Sequence, residues 1–210
     1  MHEPAVTLTD YGLTIECWTL AWLVMRSNRT ALRPWWIAFF GFIGLASLIG
    51  GTVHGFFPDE STTLYTILWD ANLIAIGCTA VAIWSLGALL TGSAPLARWV
   101  TRIAFALLAL YAGIVVFVSN RFLVAIGMYL PAVIFLTVTM SMTHARAPRQ
   151  GWGVGIVGLA LTYLAAAAQQ LKVALHPVYF DHNALYHVIQ GLALFLVFLA
   201  QSRASRAPAA

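Results

Sequence analysis

Asp181-His182-Asn183-Ala184-Leu185-Tyr186-His187-Val188-Ile189-Gln190 runs without a break into Gly191-Leu192-Ala193-Leu194-Phe195-Leu196-Val197-Phe198-Leu199-Ala200. This stretch decides the fold. Its second half is built for hydrocarbon, and its first half carries two histidines, a carboxylate and two amides. Polar groups inside an apolar span are expensive, so a histidine one turn into it is a functional-site hypothesis by default.

The rest of the chain reads the same way. Hydrophobic residues make up 61% of the 210 positions and charged ones 9%, against about 25% charged in a soluble domain. A spanning helix needs about 20 mainly apolar residues. On that basis the sequence predicts an all-α membrane protein. It forms a single seven-helix transmembrane domain over residues 1–210, with spans near 11–25, 35–56, 62–90, 103–119, 122–142, 153–173 and 183–202. Breaks fall at Arg26-Ser27-Asn28-Arg29, Pro58-Asp59-Glu60, Thr91-Gly92-Ser93-Ala94-Pro95, Asn120-Arg121, Ala147-Pro148-Arg149-Gln150 and His176-Pro177. Met1 to Asp10 contain no Lys or Arg, so the first span is expected to stay rather than be removed as a signal peptide. Cys17 and Cys78 both lie in apolar runs and read as packing residues.

Charge placement gives a direction. Arg26, Arg29, Arg33, Arg98, Arg102, Arg146, Arg149, Arg203 and Arg206 fall on one side, against Arg121 and Lys172 on the other. The N-terminus is therefore expected outside and the C-terminus in the cytoplasm of a multi-pass protein of the cell (inner) membrane. The net charge of +4 reflects that placement and does not point to nucleic acid. All seven carboxylates, and every histidine except His144, fall in the outer half or outer loops.

Inside the spans the informative polar residues are Glu16, His54, Asp70 and His187. His54 sits among Gly50, Gly51 and Gly55, which allow a helix or ligand to approach the backbone closely. Ser47 lies seven residues earlier, within about 20° of the same helix face. Asp70 lies about 12 Å along the axis from Thr62, where a carboxylate needs a cation, a metal or a proton. Glu16 caps a neighbouring helix, binds a cation such as calcium together with Asp10, or lies at the headgroup level. Gln169, Gln170, Tyr186 and Gln190 are supporting polar groups or helix–helix glue. Histidines from the second and seventh spans with a third ligand would suit catalytic zinc, which takes three protein ligands and a water. Asp70 would then hold or deprotonate that water.

These residues resemble the alkaline ceramidase and adiponectin-receptor-like superfamily of seven-span membrane hydrolases. His54 matches its second-span ligand, Asp70 its third-span aspartate and His187 the second histidine of its terminal motif. Glu16-Cys17-Trp18 is similar to an acidic-x-Trp element of the ceramidases. The resemblance implies a three-histidine zinc site formed by His54, His182 and His187 and a lipid amide or ester as substrate. It also implies Asp70 as general base, with Ser47 or Tyr186 helping the oxyanion. Two positions depart from the pattern. Asn183 stands where the motif His-x-x-x-His has its first histidine, and Gly50 where Ser-x-x-x-His has its serine. His182, five residues before His187, is about 140° from it on a regular helix, so the third ligand is left between His182, Asn183 and water. The rival expectation is a lipid sensor or receptor without turnover. Weaker ones are a haem held by His54 and His187, and a transporter. Oligomeric state is not encoded in any of these features.

Overall fold

The computed structural model describes residues 1–176 and 179–206 and is all-helical among them. In chain order the helices are α1 (Pro4–Met25), α2 (Arg33–Phe56), α3 (Thr63–Leu90), α4 (Ala94–Phe117), α5 (Phe122–Arg146), α6 (Trp152–Gln170) and α7 (His182–Ala204). A short 3-10 turn, Pro148–Gln150, precedes α6. Six of them, α2 to α7, are long and apolar enough to cross a membrane. Helix α1 is less apolar because Thr7, Thr9, Asp10, Thr14 and Glu16 interrupt it, yet its 22 residues span about 33 Å.

Two helices begin well before the expected spans. Pro4 occupies the first turn of α1, where a missing N–H costs nothing, so Asp10 lies inside the helix rather than in front of it. Helix α4 starts at Ala94, where the Ser93 hydroxyl accepts from Leu96 N at 3.4 Å. Arg98 and Arg102 are therefore on the helix, where their stems can reach the interface. Helix α7 is capped by the Asp181 carboxylate, which accepts from Ala184 N at 2.9 Å. The proline of the break read at His176-Pro177 lies outside the described residues.

Helix α6 ends with Val173 N bonded to Ala168 O at 2.9 Å and Lys172 N to Gln169 O at 3.1 Å. That pair of bonds is a Schellman motif, and it puts Lys172 at φ 55°, where glycine is the usual residue. A side chain there costs about 1 kcal/mol. Lys172→Gly is expected to stabilise the protein by about that amount, read as a rise in the midpoint of thermal unfolding. A fall would show that the turn is held by the lysine side chain.

Six helices form a closed ring in the order α1, α2, α3, α5, α6, α7, with α4 outside it against α3. Tyr111 anchors α4 by donating to Leu73 O at 2.8 Å. The α1–α2 and α6–α7 pairs pack most closely, and α5 touches α6 only lightly. Bilayer lipid is as apolar as leucine, so close van der Waals fit between small residues holds such helices together. At Gly51 an added Cβ would lie 2.8 Å from Asp10 Cβ.

The main apolar core fills only one half of the ring. It gathers the later parts of α1, α3, α5 and α7 with the beginnings of α2 and α6. Trp36, Phe39 and Phe40 lie fully buried there, and Phe198 packs edge-on against Phe40. Nine of the ten arginines, all but Arg121, lie at or near this end. The other half is hollow.

Candidate functional site

The hollow half holds a cavity of about 570 Å³, walled by α1, α2, α3, α5, α6 and α7. Helix α3 turns Trp69, Asn72, Ile76 and Thr79 toward it, and α7 turns Asn183, Tyr186, His187 and Gln190. Both sets follow the three- and four-residue steps of one helical face. Asp10, Ser47, His54, Thr162, Gln169 and Gln170 add to the polar lining, and among the described residues no Lys or Arg lines the cavity.

His187 is the centre of the polar cluster. Its Nε2 lies 3.3 Å from Asp10 Oδ1, and its Nδ1 lies 3.1 Å from Thr9 Oγ1. Thr9 Oγ1 also lies 2.8 Å from Ala5 O and 3.0 Å from Val6 O; with its one proton given to the backbone it accepts from a ring Nδ1–H. In that tautomer the remaining ring nitrogen faces the carboxylate. One proton shared between them would leave the pair electrically neutral whichever partner held it.

Asp10 is 3% exposed, and α2 makes the room for it. The room is at Gly51, where a Cβ would clash with Asp10 Cβ, while a Cβ at Gly50 would lie at ordinary contact distance from Asp10 Oδ2. The glycines beside His54, expected to admit a neighbouring helix or a ligand, admit α1. His54 itself lines the cavity, and its Nδ1 is paired with Glu3 Oε2 at 2.8 Å. His2 N donates to Gly55 O at 3.0 Å, which ties the chain's start to the same end of α2. Asn183 Oδ1 accepts from Gln169 Nε2 at 3.3 Å, joining α6 to α7. Gln190 Nε2 donates to Thr162 Oγ1 at 3.4 Å. The Gln190 Oε1 atom is buried without a partner.

Of the expected site residues, His54, His187, Ser47 and Tyr186 share this cavity, and the open alternative Asn183 joins them. Asp70 does not. It follows the cavity-facing Trp69 by one 100° step, and its Oδ1 accepts from Asn120 Nδ2 at 3.1 Å, bracing the α4–α5 connection. His182, the first residue of α7, is likewise one step off the lining face and does not reach the cavity. The three-histidine set is therefore not assembled. Among the described residues no three His, Cys, Asp or Glu side chains converge tightly enough to hold a metal. Glu16 and Asp10 point apart, since six residues place them about 120° apart. A Cβ at Gly191 of α7 would meet Glu16 Oε2 at 2.7 Å, on the outer side of the α1–α7 seam. The shared cation site expected for Asp10 and Glu16 is not formed.

Asp10 as the partner of His187, and the unpartnered Gln190 oxygen, are the residues that sequence reasoning missed in these roles. The available signal for Asp10 was Glu3-Pro4, an early helix start that would have placed the carboxylate two turns inside α1. No curated protein and no solved structure matches the chain significantly. Over residues 5–206 the chain matches, and so belongs to, a family of unknown function, DUF6962.

Proposed function

We propose that this protein is a seven-span membrane protein that takes an amphiphile sideways out of the bilayer into the cavity, with its polar end at Asp10 and His187. One observation carries the reading, the break in the cavity wall between α5 and α6. Phe122 and Leu130 of α5, and Ala166, Ala167 and Gln170 of α6, all line the cavity and are at the same time exposed on the outside of the bundle. Below the break Thr137 Oγ1 and Tyr163 OH meet at 3.0 Å and close the seam. An opening flanked by apolar side chains, in helices of membrane-spanning length, faces lipid. The arginine-rich, solid end lies in the cytoplasm and the hollow end outside, in the cell (inner) membrane. Ligand binding without turnover, as in a lipid sensor or receptor, is the function this geometry supports best. The protein in phosphatidylcholine nanodiscs is expected to bind a twelve-carbon amphiphile saturably, at one per chain. Uptake no greater than that of protein-free discs would refute it.

Hydrolysis of a lipid amide or ester is the second reading, favoured by the meeting of Asp10 and His187. Their 3.3 Å separation is close to the edge of a tetrahedron with zinc-ligand bonds of 2.0–2.1 Å, about 3.4 Å. His54 lines the same cavity but is turned to Glu3 and would have to swing toward the pair to serve as a third donor. If zinc is held there, metal content is expected to fall from about one per chain to near zero in His187→Ala and to stay unchanged in His182→Ala. Equal loss in both variants, or no zinc in the wild type, would remove this reading.

A further inference from the structure

Resting on the proposal that the cavity holds an amphiphile, we infer that the polar end of that amphiphile is an ammonium group bearing at least one N–H. Two independent features of the lining point to this chemistry.

The first is charge. The lining contains one carboxylate, Asp10, and no Lys or Arg. The two basic residues on this side, Arg121 before α5 and Lys172 after α6, are exposed and do not line the cavity. A phosphate or carboxylate head would enter a low-dielectric site already holding a carboxylate, with no cation to offset it. An ammonium reverses the sign. It takes over the neutralisation of Asp10, whose Oδ2 faces the glycine-lined gap, and leaves His187 as a neutral ring bonded to Thr9. Aromatic faces add to the same preference, because Trp69, Phe122, Tyr129, Tyr163 and Tyr186 all line the cavity and attract cations through their ring quadrupoles.

The second is an orphan acceptor. Gln190 is 4% exposed, lines the cavity, spends its amide N–H on Thr162 and leaves Oε1 without a donor. A buried acceptor left bare is costly, so the ligand that completes the site brings a donor. An N–H ammonium serves both acceptors, whereas a quaternary ammonium satisfies the charge and leaves Gln190 bare.

Four probes of equal chain length separate these terms: dodecylamine, dodecyltrimethylammonium, dodecanol and dodecanoate. Each is measured as saturable binding to the full chain in phosphatidylcholine nanodiscs, above protein-free discs. Dodecylamine is expected to bind at least tenfold more tightly than dodecanol, with dodecyltrimethylammonium between them and dodecanoate weakest. Asp10→Asn, close to isosteric, is expected to erase the amine preference while dodecanol binding persists, which shows that the variant is folded. Gln190→Leu is expected to weaken dodecylamine severalfold and leave dodecyltrimethylammonium unchanged. Dodecanol or dodecanoate binding as well as the amine would overturn the ammonium assignment and leave the amphiphile reading standing. No saturable binding of any probe would overturn both.

Discussion

Gly158→Leu is expected to abolish the folded protein, the largest effect of any single substitution in the bundle. Helices α6 and α7 form one of its two closest pairs, and at Gly158 the backbones approach closely. A Cβ added there would lie 2.6 Å from the backbone oxygen of Ala193 and 3.0 Å from Val197 Cγ2. A side chain can turn away from such a clash, but a carbonyl within a helix cannot. The helices must separate, losing the van der Waals contact that substitutes for hydrophobic association in lipid. Overpacking a well-filled interior costs about 1–3 kcal/mol and more when backbone has to move, which is a large share of a typical total stability. The separation also pulls Thr162 from Gln190 and Gln169 from Asn183, so the cavity loses its α6 wall. The measurement is the yield of monodisperse protein and its thermal midpoint. Gly127→Leu on the exposed face of α5 serves as the control, since nothing lies within 4 Å of a Cβ there. A Gly158→Leu protein as stable as that control would show that the close approach does not hold the bundle together.

The elements were legible in the sequence to a greater degree than their rotations. Length and punctuation placed seven helices, and the ends of α2, α3 and α7 fall close to where hydropathy puts them. The start of α1 was lost because Thr7, Thr9 and Asp10 lower local hydropathy, although Pro4 marks the first turn. The start of α4 was lost because Arg98 and Arg102 look like loop. The faces are harder for a physical reason. A soluble amphipathic helix shows which side is buried by the contrast between an apolar and a polar stripe. A helix in a bundle within lipid is apolar on both sides, so the contrast is gone. Asp70 and His182 lie beside the lining residues Trp69 and Asn183, each about 100° from the lining face of its helix. His54, Ser47, Tyr186 and His187 lie on the cavity-lining faces of their helices. For His187, the regular spacing from Asn183 and Gln190 in the terminal stretch is visible once the cavity face is known. Asp10 needed both corrections at once: the helix had to start seven residues earlier, and α1 had to turn toward Gly50 and Gly51.

Ala167→Trp is expected to close the site while leaving the bundle intact. Ala167 belongs to two environments: it is exposed on α6 and lines the cavity at the break in the α5–α6 seam. An indole there can lie across the gap toward Leu130 without entering the packed core. Its helix propensity costs only a few tenths of a kcal/mol relative to alanine, and an aromatic ring on a lipid-facing surface is well tolerated. Stability is therefore expected to change little, whereas binding of a twelve-carbon amphiphile falls at least tenfold, through a slower association rate. Ala160→Trp is the matching control. It stands seven residues earlier, about 20° away in angle and two turns nearer the solid end, where it does not line the cavity. The same indole below the Thr137–Tyr163 contact is expected to leave binding unchanged. If Ala167→Trp binds as fast as Ala160→Trp, the ligand enters from the aqueous end between α2 and α7 instead of through the side. The polar cluster would then be the mouth of the site, and Glu3 and His54 rather than Ala166 and Ala167 would stand at its entrance.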